Sequence, residues 1–84
     1  MNKLIKFASP TCNPCKILEN QIKDVDFGVP VEKVDISIDK DAVNKYNLRS
    51  LPTVIMFRGD LEVGRLVGIK TVQDIKDLVK LAFI

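Results

Sequence analysis

The chain has 84 residues, 46% of them hydrophobic and 29% charged, with 4 Gly and 4 Pro. That composition excludes a disordered chain, and the length suits one domain burying about 60–65% of its unfolded surface. Thirteen Lys+Arg against 11 Asp+Glu leave a formal charge of +2, spread along the sequence, and Phe 4, Tyr 1 and Trp 0 complete the aromatics. There is neither a basic stripe for tracking phosphates nor a base-stacking platform, so no nucleic-acid partner is expected. Leu4-Ile5 is interrupted by Lys6 and cannot supply the ~7–15 apolar residues of an export signal. No stretch approaches the ~18 apolar residues of a membrane span. The expectation is a cytoplasmic protein without a membrane partner, in a compartment that keeps thiols reduced.

Residues 3–8 (KLIKFA) read as a strand, followed by the polar turn Ser9-Pro10-Thr11. From Asn13 the period changes, and Cys15, Leu18, Ile22 and Val25 share one helical face. Pro14 fits the first helical turn, where its missing N–H costs nothing. Glu19 and Lys23 are expected to pair at i,i+4 on the wet side, and Gly28 and Pro30 to end the helix. Val31–Ser37 reads as a second strand and Asp39–Tyr46 as a short second helix, with Asn47–Leu51 a loop. Thr53–Phe57 (TVIMF) has the continuous apolar pattern of a strand covered on both faces. Arg58-Gly59-Asp60 turns the chain into an antiparallel strand, Leu61–Val67. Thr71–Ile84 places Val72, Ile75, Val79, Ala82 and Phe83 on one helical stripe, opened by a capping box of Thr71 and Asp74. Phe83-Ile84 is expected to finish the core. The order is β-α-β-α-β-β-α, with the first two strands parallel across a helical crossover.

Chemistry concentrates in Cys12-Asn13-Pro14-Cys15, which holds both cysteines of the chain. A zinc site usually takes four protein ligands when structural and three when catalytic. Two Cys and no His fall short, and an iron–sulfur cluster meets the same shortage; no metal and no bound cofactor is expected. As a staple the pair is weak, because so short a loop removes little unfolded-state entropy. Two unrelated buried cysteines would not need this spacing at the mouth of a helix.

Redox exchange needs what the segment supplies. The nucleophile is a thiolate, and Cys12 stands where free N–H groups and the positive end of a helix dipole favour an anion. That field is worth ~0.3–2 kcal/mol, or ~0.2–1.5 pK units. Cys15, one turn further in, lies on the apolar face. Cys12 is therefore read as the attacking sulfur and Cys15 as the one that resolves the mixed disulfide, leaving a redox-active Cys12–Cys15 bridge. Pro14 stiffens the turn between them.

These residues resemble the thioredoxin superfamily over nearly the whole chain. Cys12-Asn13-Pro14-Cys15-Lys16 is similar to the family's active-site motif, with Asn13 where Gly is usual. Lys45-Tyr46-Asn47-Leu48-Arg49-Ser50-Leu51-Pro52-Thr53 resembles the segment leading into the family's cis-proline, and Gly68 matches a glycine near the active site. The resemblance implies a minimal thioredoxin fold of class α/β, a four-stranded mixed sheet flanked by three helices, spanning 1–84 as a single domain. It further implies a cis Leu51–Pro52 bond, Pro52 packed beside the sulfurs and excluding metals, and a Leu51 backbone that pairs with an extended substrate.

Three departures stand out. Full-length thioredoxins carry an extra N-terminal strand and helix, so this length matches the glutaredoxin size class. Thr11 replaces the family's Trp before the first cysteine and removes a large apolar contact surface. Lys6 occupies the position of a buried acid that manages the proton on the second sulfur; it either supports a thiolate electrostatically or points to solvent, and solvent is the expected placement. Proton handling then falls to water or to an unassigned carboxylate. Proline in third place, Leu-Pro-Thr at the turn and Ile69 after Gly68 resemble thioredoxins rather than glutaredoxins; short proteins of archaea and phages combine these features. The expectation is a monomeric dithiol–disulfide oxidoreductase acting on protein disulfides. Its electrons would come from a flavin-dependent thioredoxin reductase or, alternatively, from glutathione; a non-catalytic binding module of the same fold is the other alternative.

Overall fold

The run Thr53–Phe57 is buried along its whole length, as a doubly covered strand requires. In the computed structural model, which describes residues 1–84, it forms most of β3 (Thr53–Arg58). The other elements are β1 (Asn2–Ala8), α1 (Asn13–Ile22), β2 (Val31–Asp35), α2 (Ala42–Lys45), β4 (Leu61–Val67) and α3 (Val72–Lys80), with a 3₁₀ turn at Leu81–Phe83. The sheet order is β2-β1-β3-β4. β1 runs parallel to β2, from Leu4 opposite Val31 to Ala8 opposite Asp35, and antiparallel to β3, from Asn2 opposite Arg58 to Phe7 opposite Thr53. β3 and β4 form the antiparallel hairpin, with a bulge between Met56 and Phe57.

Strand side chains alternate between faces, and the two central strands use both. Leu4, Val54 and Met56 meet Leu18 and Ile22 of α1 and Ile75, Leu78 and Val79 of α3. Ile5, Phe7, Ile55 and Phe57 face the other way, against Ala42 and Leu48 around α2. Tyr46 packs on Phe7, with ring centroids 4.9 Å apart.

Several elements are shorter than their patterns predict. α1 stops at Ile22, although Val25 continues its apolar stripe; Val25 reaches the same core from a turn. Beyond it the Asp26 carboxylate accepts the Gly28 N–H at 2.8 Å, a local bond that competes with helix. β2 ends at Asp35 rather than Ser37, because the Asp35 carboxylate accepts the Ser37 N–H at 2.9 Å and its hydroxyl at 2.6 Å and bends the chain. The predicted helix over 39–46 is helical only at Ala42–Lys45. No helix is long and apolar enough to cross a membrane.

The expected capping box is present: Thr71 Oγ1 accepts the Asp74 N–H, and Asp74 Oδ2 accepts the Thr71 N–H, both at 3.0 Å. The end of this helix overturns one expectation. Phe83 and Ile84 are 66% and 89% exposed, so they do not finish the core. The helix tightens into a 3₁₀ turn after Lys80, and its shorter repeat carries Phe83 off the buried stripe. Leu78 fills that stripe instead.

Thr71→Ala should lower stability by about 1 kcal/mol, read as a reduced urea midpoint at unchanged m. The Thr71 N–H holds the Asp74 carboxyl below its usual range. Its contribution is therefore present above the unfolded carboxylate value, about 3.9, and is lost as pH falls through the lower folded value.

Candidate active site

β1 delivers the chain to the site, and the turn after it is closed by the Cys12 N–H donating to the Ser9 carbonyl at 3.2 Å. Cys12 then caps α1 from an extended backbone, with Pro14 in the first turn. Its sulfur accepts the N–H of Cys15 at 3.2 Å. A sulfur thus occupies the place of the usual Ser or Asp oxygen, and the helix start that favours an anion bears directly on it. Cys12 and Cys15 are joined as a disulfide, with Cα atoms 5.3 Å apart. Cys12 is half-buried, while Cys15 is only 6% exposed. No group of three or more His, Cys, Asp or Glu side chains could hold a metal ion.

The loop before β3 reaches the sulfurs from the other side. The Leu51–Pro52 bond is cis. Pro52 is buried and shares the lining of a small cavity with Cys15. Two bonds hold this loop: Thr53 Oγ1 donates to the Ser50 carbonyl at 2.7 Å, and the Gly68 N–H donates to the Pro52 carbonyl at 2.9 Å. Gly68 does so at φ +92°, a conformation that disfavours any residue with a Cβ. Leu51 is half-buried; Thr11, Asn13, Pro14 and Lys16 are exposed on the rim.

Lys6 departs from its expected placement in solvent. Leu4, Lys6 and Ala8 alternate onto the sheet face that α1 covers, so Lys6 turns inward and its side chain is 16% exposed. Lys33 stands directly beside it on β2. Glu19 reaches down from α1 between them. Its carboxylate lies 3.8 Å from Lys6 Nζ and accepts from Lys33 Nζ at 3.1 and 3.4 Å. The expected Glu19–Lys23 pair is replaced by this triad. The Lys33 hydrogen bond, aided by the charge of Lys6, holds the Glu19 carboxyl below its usual range. Glu19 and Lys33 escaped the sequence reading as site residues. The available signal was the i,i+4 spacing of Cys15 and Glu19, which puts them on one side of the helix.

A redox-active cysteine pair at the first turn of a helix, beside a cis-proline loop, defines a dithiol–disulfide oxidoreductase of thioredoxin fold. The protein-family model described as Thioredoxin matches residues 1–81. The thioredoxin of Buchnera aphidicola subsp. Baizongia pistaciae is 32% identical over 82 residues, covering 93% of this chain and 75% of that protein. The SPbeta prophage-derived thioredoxin-like protein YosR of Bacillus subtilis is 31% identical over 80 residues, covering 93% of this chain and 95% of that protein. Among solved structures, the N21Q mutant thioredoxin from Halobacterium salinarum NRC-1 superposes with a TM-score of 0.81 at 25% identity, over 94% of this chain and 72% of that one. The chain belongs to the thioredoxin family.

Gly68→Ala should destabilise the protein by about 1–2 kcal/mol, the usual cost of a Cβ in left-handed backbone. A urea titration measures it, and an unchanged midpoint would show that the left-handed backbone at position 68 does not require glycine.

Proposed function

We propose that the reduced chain donates two electrons to protein disulfides and is recharged by a flavin-dependent thioredoxin reductase. Cys12 is the attacking sulfur and Cys15 the resolving one. One observation carries the assignment: the half-buried Cys12 sulfur accepts a helix N–H, whereas Cys15 is buried beneath it. The first favours a thiolate that a substrate can reach; the second shields a thiol until the mixed disulfide brings a sulfur to it.

The substrate segment lies along the cis-proline loop. Leu51 takes part in no backbone hydrogen bond, so its N–H and carbonyl suit an extended chain added as a further strand. Thr11, Asn13, Pro14 and Gly68 border that path, with Thr11 leaving room where a Trp would stand. Lys16, exposed after the resolving cysteine, adds a positive charge to the rim. Residues 1–84 act as a single-domain monomer that binds no cofactor or metal, in the cytoplasm, where thiols are kept reduced.

Turnover of a model protein disulfide should be supported by thioredoxin reductase with NADPH, and the dithiol should have a potential near −270 mV rather than about −200 to −230 mV. Turnover with glutathione and its reductase alone would make the protein a glutaredoxin-type reductant. No turnover with either, from a dithiol that resists oxidation, would make it a binding module. Cys15→Ser should trap a substrate through Cys12, and Cys12→Ser should trap none. Reversed traps would exchange the two roles.

A further inference from the structure

The Cys15 thiol must lose its proton before it can resolve a mixed disulfide, and the chain has no histidine to take it. The groups around this sulfur are few. α1 contributes Lys16 and Glu19, β1 contributes Lys6, and β2 contributes Lys33 and Asp35; the cis-proline loop contributes none. The protonated lysines cannot accept. Asp35 lies at the outer end, lining only the outer groove and not the small cavity that Cys15 shares with Glu19. Glu19 remains, one helical turn beyond Cys15 on the same side of α1.

Between Cys15, Pro52, Lys6 and Glu19 lies a cavity of about 10 Å³, close to the room one water requires. Its walls carry the Cys15 sulfur, a carboxylate and two ammonium groups, Lys6 and Lys33, among apolar neighbours such as Phe7 and Leu18, and those polar groups are the partners a water there would take. A wider groove of about 230 Å³ continues from Cys15, Glu19 and Lys33 past Lys16 and Asp35 to solvent. We propose that Glu19 is the proton acceptor for Cys15, reached through one water in this cavity, with Lys6 and Lys33 as the residues that position its carboxylate. This inference rests on the assignment of Cys15 as the resolving sulfur.

The step balances as follows. In the mixed disulfide of Cys12 with a substrate sulfur, the Cys15 proton passes through the water to Glu19. The Cys15 thiolate attacks Cys12 Sγ, the Cys12–Cys15 bond forms, and the bond from Cys12 to the substrate breaks. The electron pair leaves on the substrate sulfur, which takes a proton from solvent, and Glu19 returns its own proton to solvent along the groove. The protein dithiol is oxidised and the substrate disulfide reduced, by two electrons. Because Lys33 and Lys6 hold the Glu19 carboxyl below its usual range, it is ionised and ready at neutral pH. Its hold on the proton is correspondingly brief.

A symmetric aromatic disulfide reads the two steps separately, since its first half is released when Cys12 attacks and its second when Cys15 resolves. Glu19→Gln should leave the first phase unchanged and slow the second by at least about tenfold at neutral pH, the lower range of general-base effects. The second phase should then rise with pH as hydroxide takes over, and Glu19→Asp should restore part of the rate. A carboxylate that merely offset the lysine charges would give the opposite sign. Its neutralisation would leave Lys6 and Lys33 unopposed beside Cys15, lower the thiol pKa and speed resolution. A faster or unchanged second phase therefore overturns the proposal. A wild-type protein that shows no first phase would instead overturn the oxidoreductase reading, and one whose first phase survives Cys12→Ser would overturn the cysteine roles.

Discussion

The N–H of Cys15 points at the sulfur of Cys12, and the remainder of the site is arranged to preserve that contact. It exists because a strand ends and a helix begins within four residues of sequence, Ser9 to Cys12, closed by a backbone bond across the turn. A helix start offers unpaired N–H groups whether or not anything accepts them. Placing sulfur there converts a general feature of helices into a preference for thiolate, worth ~0.3–2 kcal/mol. The same geometry orders the two cysteines. The cap residue stands outside the helix and remains within reach; the residue three positions later completes the first turn and is covered by the sheet.

Position relative to the sheet then decides the electrostatics below the sulfurs. β1 is central in the sheet, and α1 covers the face onto which Leu4, Lys6 and Ala8 alternate. Lys6 enters the α1 layer in register with Lys33, and two ammonium groups on neighbouring strands repel unless something lies between them. Glu19 supplies the opposite charge from the helix, leaving one net positive charge near Cys15. The triad is graded in exposure, from 16% at Lys6 through 41% at Glu19 to 51% at Lys33. The half-buried lysine is thus joined to water by a chain of partners, which limits the cost of holding its charge under the helix.

Much of this was legible in the sequence, for identifiable reasons. Thr71 and Asp74 mark a helix start by chemistry that works locally, and TVIMF can be little other than a central strand. Cys12 and Cys15 declare their helix terminus through Pro14. The direction of Lys6 was hidden because Lys3, Ile5 and Phe7 alternate with Leu4, Lys6 and Ala8, so each face of β1 carries one lysine and the pattern does not rank them. Glu19 was hidden because its partners come from two strands distant in sequence, while Lys23 offered a local alternative. Element ends were overestimated where Asp26, after α1, and Asp35, at the end of β2, bend the chain through their own side chains, and where the last turn of α3 tightens.

Gly68 and Pro52 fix the backbone that borders the sulfurs. The hydrogen bond between them ties the end of β4 to the cis-proline loop, and Thr53, 1% exposed, secures the other end of that loop through Ser50. The loop is therefore fixed from both sides while Leu51, at its apex, keeps its backbone groups uncommitted. Rigid support beneath an unpaired stretch of backbone is the condition for strand addition, because a partner then adds hydrogen bonds without paying to order the loop. The cis-proline loop is anchored on β3 and β4, and the cysteines follow β1 at the start of α1. β1 and β3 are paired along their lengths, so the sheet holds Pro52 beside Cys15 in the lining of one cavity.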